Sequence, residues 1–130
     1  MTIAEVSGRF GLTPDTLRYY ERIGLIPAVH RSKSGIRDYT DSDIGWVEFI
    51  KCMRGAGLPI EALIEYVDLY GRGDATIEAR KELLKEQRRQ LAAKIEEMKT
   101  TLKRLDYKIE KYENNMMQCE KRLLRTEEEK

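Results

Sequence analysis

The sequence predicts a mainly α-helical chain, a winged helix-turn-helix followed by a long dimerisation helix. Three observations carry that expectation. Two short helical stretches with clear capping signals open the chain, joined by a turn that contains Gly11. A basic segment with a glycine turn at its centre follows them, AVHRSKSGIRDY over residues 28–39. From Asp74 onward there is neither proline nor glycine, and apolar residues recur at alternating spacings of four and three.

The first helix is announced by TIAE. Thr2 can cap it while Glu5, three residues on, closes a capping box. Ile3, Val6 and Phe10 supply an apolar stripe, and Gly11 stops the helix. The second helix begins almost at once. Thr13 is a good N-cap, Pro14 suits the first helical position, and Leu12 can staple onto Leu17. Gly24 ends it. With Leu17 fixing the inward side, Asp15, Arg18, Tyr19 and Arg22 share the outward face. Tyr20 sits nearer the inward side. An outward arginine and tyrosine suit a phosphate-lined groove, because arginine bonds guanine edges or phosphate and a tyrosine hydroxyl reaches phosphate oxygens.

Residues 28–39 read as two short β-compatible pieces around a Lys33-Ser34-Gly35 turn, a hairpin carrying Arg31, Lys33 and Arg37. A basic hairpin beside a helix-turn-helix is a wing. TDSD then caps a third helix, in which Ile44, Trp46, Val47, Phe49, Ile50 and Met53 are apolar and which Gly55 and Gly57 end. Pro59 opens a fourth, running through Leu63 and Val67 to Gly71 and Gly73.

The last stretch has a narrow seam. After Leu84 and an interruption at Arg88, the positions Leu91, Ile95, Met98, Leu102, Leu105, Ile109, Tyr112, Met116, Cys119 and Leu123 follow without a miss. More than four heptads of that kind predict a coiled coil. At a rise of about 1.5 Å per residue, Leu84 to Leu123 spans roughly 60 Å. A stripe that long cannot be buried on a small N-terminal domain, so it implies a partner chain, and the simplest partner is a second copy. The expected organisation is a DNA-binding domain with linking helices over residues 1–73 and a dimerisation helix over 74–130. Heptads report association only, leaving strand orientation open.

The net charge of +1 does not by itself point to nucleic acid, but its distribution is uneven. Residues 1–40 hold six Lys/Arg against four Asp/Glu, whereas residues 41–75 hold three against seven. Cys52 and Cys119 form no CxxC pair, which favours neither a disulfide framework nor a zinc knuckle. The absence of a signal peptide or an apolar run of membrane length leads to the expectation of a cytoplasmic chain with reduced thiols and no membrane contact. One histidine, no phosphate-cradling loop and no nucleophile-plus-base spacing argue against an enzyme, and no cofactor or resident metal is expected in the leading reading.

TLRYYERIGLIP followed closely by GIRDYTDSDI, within this order of elements, resembles the MerR family of bacterial transcription regulators over nearly the whole chain. The resemblance implies a winged DNA-binding domain joined to an antiparallel dimerisation helix. It also implies binding to a pseudo-palindromic promoter whose two elements are too widely spaced for RNA polymerase. The activated dimer bends and untwists that DNA, and bending a site costs several kcal/mol that an effector can tip. By position, Arg18, Tyr19 and Tyr20 would be recognition-helix contacts with Thr16 beside them. Arg37 and Tyr39 would be wing contacts, joined by Arg31 and Lys33, and Arg54 would add a phosphate contact.

Family members sense in different ways. Metal-responsive members place cysteines near the start of the dimerisation helix and in a loop after it, whereas residues 73–80 here hold none. Cys52, in FIKCMRGAG, resembles the lone sensor cysteine of members that respond to aldehydes and other electrophiles, a chemistry open to a thiolate. Read from its residue type alone, Cys52 is rather a small buried hydrophobe, and only the resemblance brings the sensor reading level with that one. Two other functions stay open. One is a metal or redox sensor that uses Cys119 across a dimer; the other is a coiled-coil scaffold whose N-terminal domain binds protein.

Overall fold

The computed structural model describes the backbone of residues 1–128 and the side chains of residues 1–122. The described residues form five α-helices, α1 (Ile3–Phe10), α2 (Pro14–Arg22), α3 (Asp41–Gly55), α4 (Ile60–Gly71) and α5 (Ile77–Glu128), with a 3-10 turn at Asp74–Thr76. The chain divides into two compact units, residues 1–91 and residues 92–130.

Local chemistry explains where the first helices begin. Thr2 accepts from the Glu5 amide and Glu5 accepts from the Thr2 amide, closing the reciprocal box that satisfies two orphan donors. Thr40 and Asp43 repeat the arrangement at α3. Thr13 caps α2 by accepting from the Thr16 amide, with Pro14 at the first helical position. Gly11 ends α1 at φ 66°, a left-handed conformation that only glycine adopts without a Cβ penalty.

These helices enclose a single core in the first unit. Val6 and Phe10 from α1 and Leu17 and Tyr20 from α2 meet Ile44, Val47 and Ile50 from α3 and Leu63 from α4. Leu25, Ile26 and Val29 of the connection after α2 complete it. Lys51 donates from Nζ to the carbonyl of Phe10, tying α3 to the open end of α1. The other face of α3 carries Trp46, which packs on Tyr66 and Tyr70 of α4, and Phe49, which packs on Tyr66, with ring centroids 4.9–5.9 Å apart. Pairs of this kind add about 0.5–1.5 kcal/mol each beyond area burial.

Residues 28–39 differ from the expected hairpin. Among the described residues there is no strand, and the segment holds one antiparallel bridge, Arg31 opposite Arg37. It is flanked by Ser32 N–H to Ile36 O at 2.8 Å and Asp38 N–H to His30 O at 2.7 Å. The turn at Ser32–Gly35 leaves too few residues for a ladder before Val29 and Tyr39 turn into the core.

The first compact unit extends past the expected 73/74 border to Leu91 and takes in the first turns of α5, which are held to α4. The Arg80 guanidinium lies over the Tyr70 ring at 5.3 Å and donates to Thr76 Oγ1 at 3.1 Å and Gly73 O at 3.4 Å. Leu83, Gln87 and Leu91 are half-buried. In the second unit every side chain from 92 to 122 is exposed, including Ile95, Met98, Leu102, Leu105, Ile109, Tyr112 and Met116 of the seam. Leu123 lies outside the residues whose side chains are described.

Candidate nucleic-acid interface

The second helix is short because its caps leave room for little more than two turns, and its core side is settled by Leu17 and Tyr20. Asp15, Arg18, Tyr19 and Arg22 are consequently exposed together. Arg18 Nη1 donates to Asp15 Oδ1 at 3.0 Å, and the Arg22 guanidinium stacks on the Tyr19 ring at 5.5 Å from its centroid. Thr16 is half-buried with its hydroxyl 2.8 Å from that of Thr13, which fixes it at the start of the helix. Two arginines and a tyrosine thus form one outward face, each already held in place at its base.

The wing stands beside that face. Its turn is closed by Gly35 N–H to Ser32 O at 2.9 Å, with Gly35 at φ 83° where any other residue would be strained. Arg31 folds back so that Nη1 donates to Gly35 O at 2.8 Å, and Lys33 is exposed at the tip. Arg37 points the other way, its Nε donating to Glu21 Oε1 of α2 at 2.7 Å. The second oxygen of Glu21 accepts from the Val29 amide at 2.8 Å. Burial pushes the Glu21 carboxyl up, but the Arg37 hydrogen bond, the Val29 amide and the nearby wing charges together hold it below the usual carboxylate range. Nothing in the residue pattern alone had singled out Glu21. The available signal was an acidic residue in the last turn of a helix, where the macrodipole disfavours it.

Two of the expected contact residues lie inward. Tyr39 is 2 % exposed and its hydroxyl is buried with no hydrogen-bond partner, so the ring belongs to the core. The cause is backbone pairing: Tyr39 N–H donates to Met1 O at 2.8 Å and the Met1 ammonium donates to Tyr39 O at 2.9 Å, which turns the side chain inward. Tyr20, 8 % exposed, likewise packs inward, and burial raises its hydroxyl pKa against the opposing charge of Arg54. Arg54 is exposed at the end of α3, where Nη1 donates to Leu58 O at 2.9 Å. Its charge there also complements the negative end of the helix.

Cys52 is an exposed free thiol on α3, and Cys119 is also exposed. Lys51 and Arg54 are both engaged elsewhere, with Phe10 O and Leu58 O. Among the described residues no group of three or more His, Cys, Asp or Glu could hold a metal ion. None of the described helices is long and apolar enough to cross a membrane.

A family model described as a MerR HTH family regulatory protein matches residues 1–69, and a second, described as MerR, DNA binding, matches residues 44–107. The chain belongs to the MerR family. It is a MerR-family transcriptional regulator in which α1, α2 and the wing form the helix-turn-helix part. It is 64 % identical over 91 residues to the HTH-type transcriptional regulator AdhR of Bacillus subtilis. That match covers 70 % of this chain and 65 % of AdhR, just under two thirds of the relative's length. A Listeria monocytogenes protein of known crystal structure, assigned to the MerR family of transcriptional regulators, superposes with a TM-score of 0.89 at 47 % identity. The superposition covers 95 % of this chain and 93 % of that one. HiNmlR, a MerR family regulator lacking the sensor domain and solved bound to promoter DNA, matches with a TM-score of 0.79 at 32 % identity, covering 87 % of this chain and 90 % of the other.

Proposed function

We propose that this MerR-family regulator works as a homodimer on promoter DNA and distorts that DNA when the Cys52 thiol reacts with an aldehyde or another electrophile. The observation that carries the DNA reading is the shared exposed face of α2, with Arg18, Tyr19 and Arg22 aligned beside the wing. In this reading α2 enters the major groove while Arg31, Lys33 and Arg37 track the flanking phosphates, and Arg54 meets a phosphate farther along. Phosphate contacts set affinity and register, and contacts to base edges set sequence preference. HiNmlR, with a similar fold, is bound to promoter DNA.

The dimer reading rests on the exposed seam. Seven apolar or aromatic positions from Ile95 to Met116 are each 45–67 % exposed, and covering what remains exposed of each with a second copy contributes about 0.7–2 kcal/mol. RNA polymerase is the partner engaged at the same promoter, held off until the regulator reshapes the DNA. Supporting the sensor reading, Cys52 is exposed on α3, the helix that also packs through Trp46 and Phe49 on α4. Addition of its sulfur to a carbonyl carbon, with the proton passing to the carbonyl oxygen, creates a hemithioacetal on that helix and changes its packing.

The test is transcription in vitro from the promoter upstream of the protein's own gene cluster, with wild type and Cys52→Ser, with and without a small reactive aldehyde. Induction by wild type that disappears in Cys52→Ser, with DNA binding intact in both, is expected. An equal response from the two proteins would move the effector site away from Cys52.

A further inference from the structure

Arg31 and Arg37 face each other at the one bridge of the wing, at a pair position where neither residue bonds the other's backbone and side chains approach most closely. Like charges directly opposite in such a pair are destabilising. The structure resolves the conflict by sending the two side chains apart, Arg31 to Gly35 O within the turn and Arg37 to Glu21 on α2.

Glu21 makes a second choice that α2 alone does not explain. It lies in the last turn of the helix, at the negative end of the macrodipole, where a carboxylate is disfavoured. Its side chain is only 13 % exposed, and a desolvated carboxylate persists only when it is paired. Both of its oxygens are used by the wing, Oε2 by the Val29 amide where the chain enters and Oε1 by Arg37 Nε where it returns. One carboxylate thus braces both legs of the wing against the recognition helix.

The consequence falls on Arg37. Its side chain is 24 % exposed, and with Nε committed to Glu21 the guanidinium plane is fixed. The two terminal amino groups carry its other four N–H donors, the ones available to an anion. Resting on the DNA interface proposed above, we infer that Glu21 is a positioning residue for DNA binding: it docks the wing on α2 and holds Arg37 in the orientation that meets a backbone phosphate. Glu21 also places a negative charge beside the duplex, which opposes indiscriminate attraction to phosphates. It therefore gives up non-specific affinity for a defined wing geometry.

That trade has a signature that simple loss of folding lacks. The probes are a duplex selected from a random pool by the wild-type chain and a scrambled duplex of the same length and composition. Glu21→Gln should bind the selected duplex about tenfold more weakly, a loss within the usual worth of a charge-assisted hydrogen bond. It should bind the scrambled duplex as tightly as wild type or slightly tighter. Arg37→Ala should show a similar loss on the selected duplex and lower the salt slope by about one. Adding Glu21→Gln to Arg37→Ala should change affinity for the selected duplex by less than about twofold, because coupled residues are not additive. Arg37→Lys, which keeps the charge without the planar fork, should reproduce the split with no change at Glu21. Equal weakening on both duplexes by Glu21→Gln and by Arg37→Lys, additive losses, or an unchanged selected duplex would each overturn the assignment. Failure of the wild type to enrich any sequence would instead remove the DNA interface itself.

Discussion

Arg18 and Asp15 are joined by a 3.0 Å hydrogen bond on the exposed face of α2, one turn apart. An exposed pair of this kind contributes at most about 1 kcal/mol to stability. Its more important effect is on geometry, since the carboxylate holds the guanidinium close to the helix before any DNA arrives. Arg18→Ala is expected to weaken binding to the selected duplex by roughly 1–3 kcal/mol while leaving the melting temperature nearly unchanged. Fluorescence anisotropy paired with thermal unfolding separates the two effects. Undiminished affinity would take α2 out of the groove.

Tyr39 allows a cleaner decision between core and wing. Its hydroxyl is buried without a partner, and burial raises its pKa, since desolvation disfavours the ionised form. An orphaned buried hydroxyl costs about 1–3 kcal/mol. Tyr39→Phe should therefore leave the protein as stable as wild type or more stable, with DNA affinity unchanged. A marked loss of affinity in Tyr39→Phe would restore the hydroxyl to the DNA-contacting set.

The pairing of Glu21 gives a signed pH dependence. Its folded-state pKa lies below the ordinary 4.5, so the folded state binds fewer protons near that value than the unfolded chain does. This contribution to stability is complete above 4.5 and is lost as pH falls through the lowered folded value. Denaturant unfolding from neutral pH down to about pH 3 should show stability declining in that window. The decline should be shallower in Glu21→Gln; an identical slope in the variant would assign it to other carboxylates.

Removal of residues 92–130 separates folding from assembly. The unit ending at Leu91 keeps the whole core as well as the Arg80 ties to Tyr70, Thr76 and Gly73. The truncated chain is expected to fold cooperatively, sediment as a monomer and bind a single half-site weakly. A stable dimer in analytical ultracentrifugation after this deletion would show that the seam is not what joins two copies.

Where interactions span a few residues, they could be read directly from the chain. Thr2 with Glu5 and Thr40 with Asp43 are spaced to bond each other as soon as a helix starts, and Thr13 stands where it accepts from the Thr16 amide with Pro14 at the first helical position, so the starts of α1, α2 and α3 followed from residue type. The outward turn of Arg18 and Tyr19 and the inward lean of Tyr20 followed from helical period for the same reason. What escaped depends on residues brought together from a distance. Arg37 meets Glu21 from 16 positions away and Lys51 reaches Phe10 O from 41. Tyr39 turns inward because its backbone pairs with Met1, 38 positions away. Arg80 clasps the end of α4, a contact that a heptad count over α5 does not register. Such partners become visible only when the packing of α1, α2 and α3 is known.

The aromatic cluster on the far side of α3 has an experimental use. Trp46 is the only tryptophan of the chain, it sits on the same helix as Cys52, and its ring packs edge-on against Tyr70 with centroids 4.9 Å apart. Indole emission responds to the polarity and quenching of its surroundings. Any rearrangement of α3 against α4 set off by a thiol adduct would therefore be visible in the native protein's own fluorescence. The molecule carries a built-in optical reporter of the packing between α3 and α4, one that needs no label, no DNA and no polymerase.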